Sequence, residues 1–97
     1  MNLDRKCYTY VLRCSDGSYY VGHTHGLKER IKAHNDGRAA GHAARRRPVS
    51  LVYSEEFAGE EEAMRRERQL KRWSRAKKEA LIQGDGNRLK LLSKSRD

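Results

Sequence analysis

The sequence predicts an α+β fold, a small three-stranded antiparallel β-sheet flanked by helices, and three observations lead there. Two stretches of β-branched and aromatic residues flank a short turn signal, and a third alternating segment follows the only proline. The remaining stretches carry apolar residues at helical spacing. No internal repeat, low-complexity tract or linker interrupts them, so the helices are expected to pack on the sheet within one domain.

The elements follow in order. Residues 7–14 (Cys-Tyr-Thr-Tyr-Val-Leu-Arg-Cys) and 18–23 (Ser-Tyr-Tyr-Val-Gly-His) read as a β-hairpin around Ser15-Asp16-Gly17. Leu27, Arg30, Ile31 and His34 share one helical face, which predicts a helix from Leu27 to Asn35 that Asn35-Asp36-Gly37 stops. Residues 38–47 lack periodicity and read as a basic loop ending at Pro48, after which Val49 to Ser54 alternate as a half-buried strand. Glu60-Glu61-Glu62 then open a long helix with Ala63, Glu67 and Leu70 on one face, acids in its first turn suiting the positive end of the helix dipole. Ser74 is placed to cap a further helix reaching about Gln83 and ended by Gly84. The folded domain is thus expected over residues 1–83, with residues 84–97 a turn and a basic, loosely held C-terminal tail.

At 97 residues such a domain has room for only a small core. Lysine and arginine number 22 against 13 acids, and a net charge of +9 favours a polyanionic partner. Cys7 and Cys14 lie in one predicted strand, too far apart in extended chain to bridge, so both are expected as free thiols. No apolar run approaches the roughly 20 residues of a membrane span, and the N-terminus lacks the apolar core of a signal peptide, so the cytoplasm is the expected location and a membrane partner is not expected.

Tyr8-Thr9-Tyr10-Val11-Leu12, Tyr20-Val21-Gly22, Arg30 with His34-Asn35, Arg47-Pro48-Val49 and Glu67 occur in this order. The set resembles the GIY-YIG nuclease superfamily, especially its small stand-alone bacterial branch, over residues 7 to about 82. Tyr8-Thr9-Tyr10 keeps only the tyrosine of Gly-Ile-Tyr, whereas Tyr20-Val21-Gly22 matches Tyr-Ile-Gly conservatively. A threonine that relatives often carry before the Arg-Pro pair is absent from Gly41-His42-Ala43-Ala44-Arg45.

The resemblance implies the GIY-YIG endonuclease fold and metal-assisted hydrolysis of a phosphodiester. Glu67 would bind one divalent ion, Mg²⁺ or Mn²⁺, because a hard carboxylate suits either. Arg30 would hold the phosphate through its planar fork of donors. Tyr10 or Tyr20 would act as general base, with His34 accepting its proton or positioning it. His23 stands where some members carry a lysine, as a second cation, a proton shuttle or simply a strand-end histidine. Both tyrosines reach one site only if Ser15-Asp16-Gly17 forms a three-residue loop with left-handed Gly17; Tyr20 then faces Leu12 and Tyr10 faces Gly22.

The run Arg45, Arg46, Arg47 and the basic stretch Arg65 to Lys78, with Lys71 and Arg72 at its centre, are candidate phosphate-contacting faces, although such runs also serve merely as solvated surface. His25 and His42 lack partners at ligand spacing, so zinc is not expected. Trp73 is read as a packing residue. The expected partner is DNA, with RNA as the other substrate, and a DNA shape, end or repair intermediate as target in place of a sequence. Delivery by a protein partner is the alternative source of specificity for so small a chain, and the expected state is a monomer or a small homodimer. The alternative function is a non-catalytic nucleic-acid-binding module of the same fold working with a partner.

Overall fold

The computed structural model describes residues 5–37 and 46–94, which form β1 (Cys7–Arg13), β2 (Tyr19–Thr24), α1 (Leu27–Asn35), β3 (Ser50–Phe57), α2 (Glu60–Lys71), α3 (Arg75–Gln83) and α4 (Gly86–Lys94). The sheet is antiparallel with order β2-β1-β3. The α+β architecture is therefore the one the residue pattern predicts.

Gly17 sits at φ +85°, and Cys14 donates its N–H to the Ser18 carbonyl at 2.8 Å, closing the loop over Ser15, Asp16 and Gly17. Only such a loop gives the observed register, Tyr10 opposite Gly22 and Leu12 opposite Tyr20. The Asp16 carboxylate accepts from the Ser18 N–H and hydroxyl and from Arg46 Nε at 2.8 Å. Those contacts hold its pKa down to about 2, the Ser18 hydrogen bonds contributing most.

Between β1 and β3 the register shifts at Val11/Leu12, where Tyr53 and Leu51 are the successive partners and Val52 is the extra residue of a bulge. Strand β3 also runs three residues beyond the predicted Ser54. Glu55 and Glu56 remain in it because Arg66 Nε pairs with Glu55 at 2.9 Å and Lys6 with Glu56 at 3.1 Å.

The chain divides into two compact units, residues 1–67 and residues 68–97. In the first, Tyr10, Leu12, Cys14 and Val49 form a buried cluster against which Tyr20, Leu27 and Ile31 pack. Thr9 is buried too, and its hydroxyl donates to the Ala63 carbonyl at 2.7 Å, tying β1 to α2. Asn35 is a two-point clamp: its Nδ2 donates to the Val49 carbonyl at 3.1 Å and its Oδ1 accepts the Val49 N–H at 2.7 Å. Asn35→Ala leaves that pair of groups unmet next to a buried side chain and is expected to cost about 2 kcal/mol in urea denaturation, against about 1 kcal/mol for a typical exposed bond.

In the second unit, Ser74 caps α3 by accepting the Lys77 N–H, and Gly84 ends it in the left-handed region at φ +70°. Lys77 is buried with Nζ 4.3 Å from the centroid of the half-buried Trp73 ring, a cation–π contact that accounts for both residues. The stretch read as a loosely held tail departs from expectation, because residues 86–94 form α4. Asp85 caps it by accepting the Arg88 N–H at 3.1 Å, and Leu89 with Ala80, Leu81 and Gly84 lines a cavity of about 170 Å³. Among the described residues no helix is long and apolar enough to cross a membrane. Cys7 and Cys14 are buried free thiols.

Candidate active site

The hairpin register puts Tyr10 and Tyr20 on one face of the sheet, with ring centroids 6.4 Å apart and planes inclined by 40°. Gly22 makes this approach feasible. A Cβ there would lie 2.6 Å from the Tyr10 hydroxyl and 3.2 Å from Tyr20 Cε2, so the glycine serves close packing and not backbone conformation.

Helix α1 supplies the next two groups, one turn apart. His34 is 1% exposed and meets Tyr20 edge-on at 5.2 Å between centroids, while Arg30 is exposed and ion-pairs with no acid among the described residues. Both His34 ring nitrogens lack a hydrogen-bond partner among the described residues. A buried polar group left without a partner costs about 1–3 kcal/mol.

Burial, reinforced by the Arg30 charge, lowers the His34 pKa from its ordinary 6.5. The unfolded chain takes up a proton near that value and the folded protein resists it, so this residue's effect on stability is level above pH 6.5 and becomes unfavourable as pH falls below it. Thermal denaturation between about pH 8 and about pH 5 is expected to show that decline, and His34→Phe to flatten it while matching or exceeding wild type in Tm at neutral pH.

Helix α2 brings in Glu67, whose side chain is 16% exposed and whose Oε1 accepts from His23 Nδ1 at 2.5 Å. His23, at the end of β2, also faces Glu60 through Nε2 at 3.6 Å. The Tyr10 phenol ties the groups together electrostatically. Burial raises its pKa strongly above 10, Tyr20 and Glu67 add to the rise, and Arg30 opposes it. Tyr10 is therefore a neutral phenol across the physiological range when the site is empty.

The single carboxylate of Glu67 fits Mg²⁺ or Mn²⁺, which take one or two protein carboxylates and complete their shells with water and phosphate. Among the described residues no cluster of three or more His, Cys, Asp or Glu is built to hold a metal by itself. Any ion held by Glu67 would take the rest of its shell from water and phosphate.

The candidate nucleic-acid contacts divide. Arg45 lies outside the described residues. Arg46 is engaged with Asp16, and its carbonyl accepts the Ser15 N–H at 2.9 Å, so it braces the hairpin turn against the start of β3. Arg47 is exposed with its guanidinium beside Gly37, and Lys71 and Arg72 are exposed in the second unit. Sequence reasoning missed Asn35's clamp and Glu60's contact with His23, neither of which leaves a periodic signal.

Comparison with known proteins bears on what such a site does. The GIY-YIG catalytic domain family matches residues 6–80. A UPF0213 protein of Streptococcus pneumoniae is 44% identical over 86 residues, covering 89% of this chain and 87% of that protein. One from Halobacterium salinarum is 47% identical over 75 residues, covering 77% and 97%. Among solved structures, the solution NMR structure of a UPF0213 protein from Bacillus halodurans shares 43% identity with a TM-score of 0.54, covering 84% of this chain and 86% of that one. A second solution NMR structure, from E. faecalis, shares 36% identity with a TM-score of 0.58, covering 87% and 90%.

Proposed function

This chain belongs to the GIY-YIG catalytic domain family, a family generally of nucleases, and from that premise we propose that it is a metal-dependent endonuclease hydrolysing phosphodiester bonds in DNA. The observation that carries the reading is the meeting of Tyr10, Tyr20 and His34 on one face of the sheet, with the charges of Arg30 and Glu67 close enough to act on the Tyr10 phenol.

In this reading Arg30, exposed and without an acid to pair with among the described residues, holds the scissile phosphate by its fork of N–H donors. Glu67 holds a divalent ion, Mg²⁺ or Mn²⁺, which when bound supplies Lewis-acid stabilisation of charge on the phosphate oxygens. His23 fixes the Glu67 carboxylate through Oε1. The tyrosine pair handles the proton of the attacking water. Arg30 favours and Glu67 disfavours ionisation of Tyr10, so compensating the Glu67 charge eases release of its proton. Tyr20, half-buried and set against His34, is the phenol more open to solvent. The net charge of +9 favours polyanions; Arg47, exposed in the first unit, is proposed to contact a flanking phosphate, and Lys71 and Arg72, exposed in the second, are proposed nucleic-acid contacts of that unit. The substrate is set by DNA shape or an end, as in a repair intermediate, or by a protein partner that delivers the target.

Incubation with single-stranded, duplex and branched DNA, and with RNA, in Mg²⁺, Mn²⁺ or EDTA tests the reading. Cutting of a DNA form that requires the metal supports it. Binding that weakens steeply with salt but yields no cut strand favours the non-catalytic module in its place.

A further inference from the structure

We propose that Glu60 is a positioning residue for Glu67, acting through the imidazole of His23; this rests on the reading of Glu67 as the ligand of a divalent ion. Glu60 and Glu67 stand seven residues apart on α2, two turns along one face and about 10 Å in rise. The His23 ring spans the gap. Its Nδ1 meets Glu67 Oε1 at 2.5 Å, and its Nε2 faces Glu60 Oε2 at 3.6 Å, so opposite edges of one ring are held by two carboxylates on a single helix.

The three differ in access to water. The Glu67 side chain is 16% exposed, that of His23 is 26% and that of Glu60 is 57%, so the contacts run outward from the candidate metal ligand to the surface. A ring held at one edge can swing about its Cβ–Cγ bond; held at both, it has one orientation, and the carboxylate it orients has one too. Fixing a ligand in this way raises metal affinity, and loss of such an outer partner typically costs 10- to 100-fold. The Glu60 contact is exposed and at ion-pair distance, which places its effect near the lower end. Glu61, the next residue in the same turn, carries the same charge and so serves as the control for simple electrostatics.

The test is Mn²⁺ binding by the full chain with inorganic phosphate present to complete the ion's shell, followed by electron paramagnetic resonance of the free ion against a protein-free control. Wild type is expected to hold Mn²⁺ at a site abolished by Glu67→Ala. Glu60→Ala is expected to weaken that site about tenfold, and Glu60→Gln, which keeps an acceptor facing Nε2, by much less. Glu61→Ala should stay within about twofold of wild type, because an exposed charge without the His23 contact is screened. In a His23→Ala background, Glu60→Ala should add nothing. Equal losses in Glu60→Ala and Glu61→Ala, a full Glu60 effect without His23, or no Glu67-dependent Mn²⁺ site each overturn the proposal. Intact Mn²⁺ coupling in a protein that cuts no DNA overturns the nuclease reading alone.

Discussion

Glu67→Gln is expected to lower metal-dependent cleavage by about a thousandfold, a loss of about 4 kcal/mol in transition-state stabilisation, while the fold persists. Glutamine has nearly the same volume and keeps an acceptor for His23 Nδ1, so the contact that anchors Glu67 survives in neutral form. What disappears is the negative charge that a hard cation requires. Chemical denaturation should therefore place the variant within about 1 kcal/mol of wild type, which separates loss of chemistry from loss of structure. Cleavage within about tenfold of wild type would remove Glu67 from the metal site.

Gly22→Ala is the second large effect, and it acts on the tyrosines. The new Cβ would fall 2.6 Å from the Tyr10 hydroxyl and 2.8 Å from its Cζ, closer than such atoms approach. Tyr10 is 1% exposed and packed with Leu12, Cys14 and Val49, so its ring has no free volume to enter. Overpacking of this sort costs about 1–3 kcal/mol, and displacement of a reacting group by about 1 Å costs on the order of 100-fold in rate. The variant should lose both stability and cleavage. Adding Tyr10→Phe removes the closer clash but not the Cζ contact, so stability should recover in part and cleavage not at all. Equal stability of Gly22→Ala and wild type in urea would show that the Tyr10 ring is not held as described.

These two residues also show how much could be read from the chain. Tyr10, Tyr20, Gly22 and Gly17 were legible because a strand's period of two, combined with a three-residue loop, leaves one register in which both phenols share a face. Helix α1 was legible over its full length because its apolar spacing and its Asn35-Asp36-Gly37 stop agree. Helix α4 was not. It opens on Gly86 and Asn87, poor helix formers, and holds its place through the Asp85 cap and α3, a tertiary dependence that no local propensity shows. The far end of β3 was missed for a similar reason, since Glu55 and Glu56 are poor strand residues until Arg66 and Lys6 pair with them.

Within the site, residue types and order pointed to Arg30, His34 and Glu67, but the contacts that set their states are matters of distance. Arg46, a candidate phosphate contact, pairs with Asp16 in the hairpin turn 30 positions earlier, a contact that leaves no signal in the sequence pattern. His23 read as a cation or shuttle, and the structure places it between two carboxylates. The deep burial of His34 and Tyr10, which moves their pKa values in opposite directions, follows from packing and has no counterpart in the sequence pattern.

The claim that this site hydrolyses a phosphodiester is tested most directly by single-turnover cleavage of an end-labelled DNA in ¹⁸O-water, with protein in excess, in Mg²⁺, Mn²⁺ or EDTA. The account predicts strand cutting that requires the metal, with one solvent oxygen in the new phosphate end. DNA bound to saturation but left uncut in both metals, across single-stranded, duplex and branched forms, would contradict it.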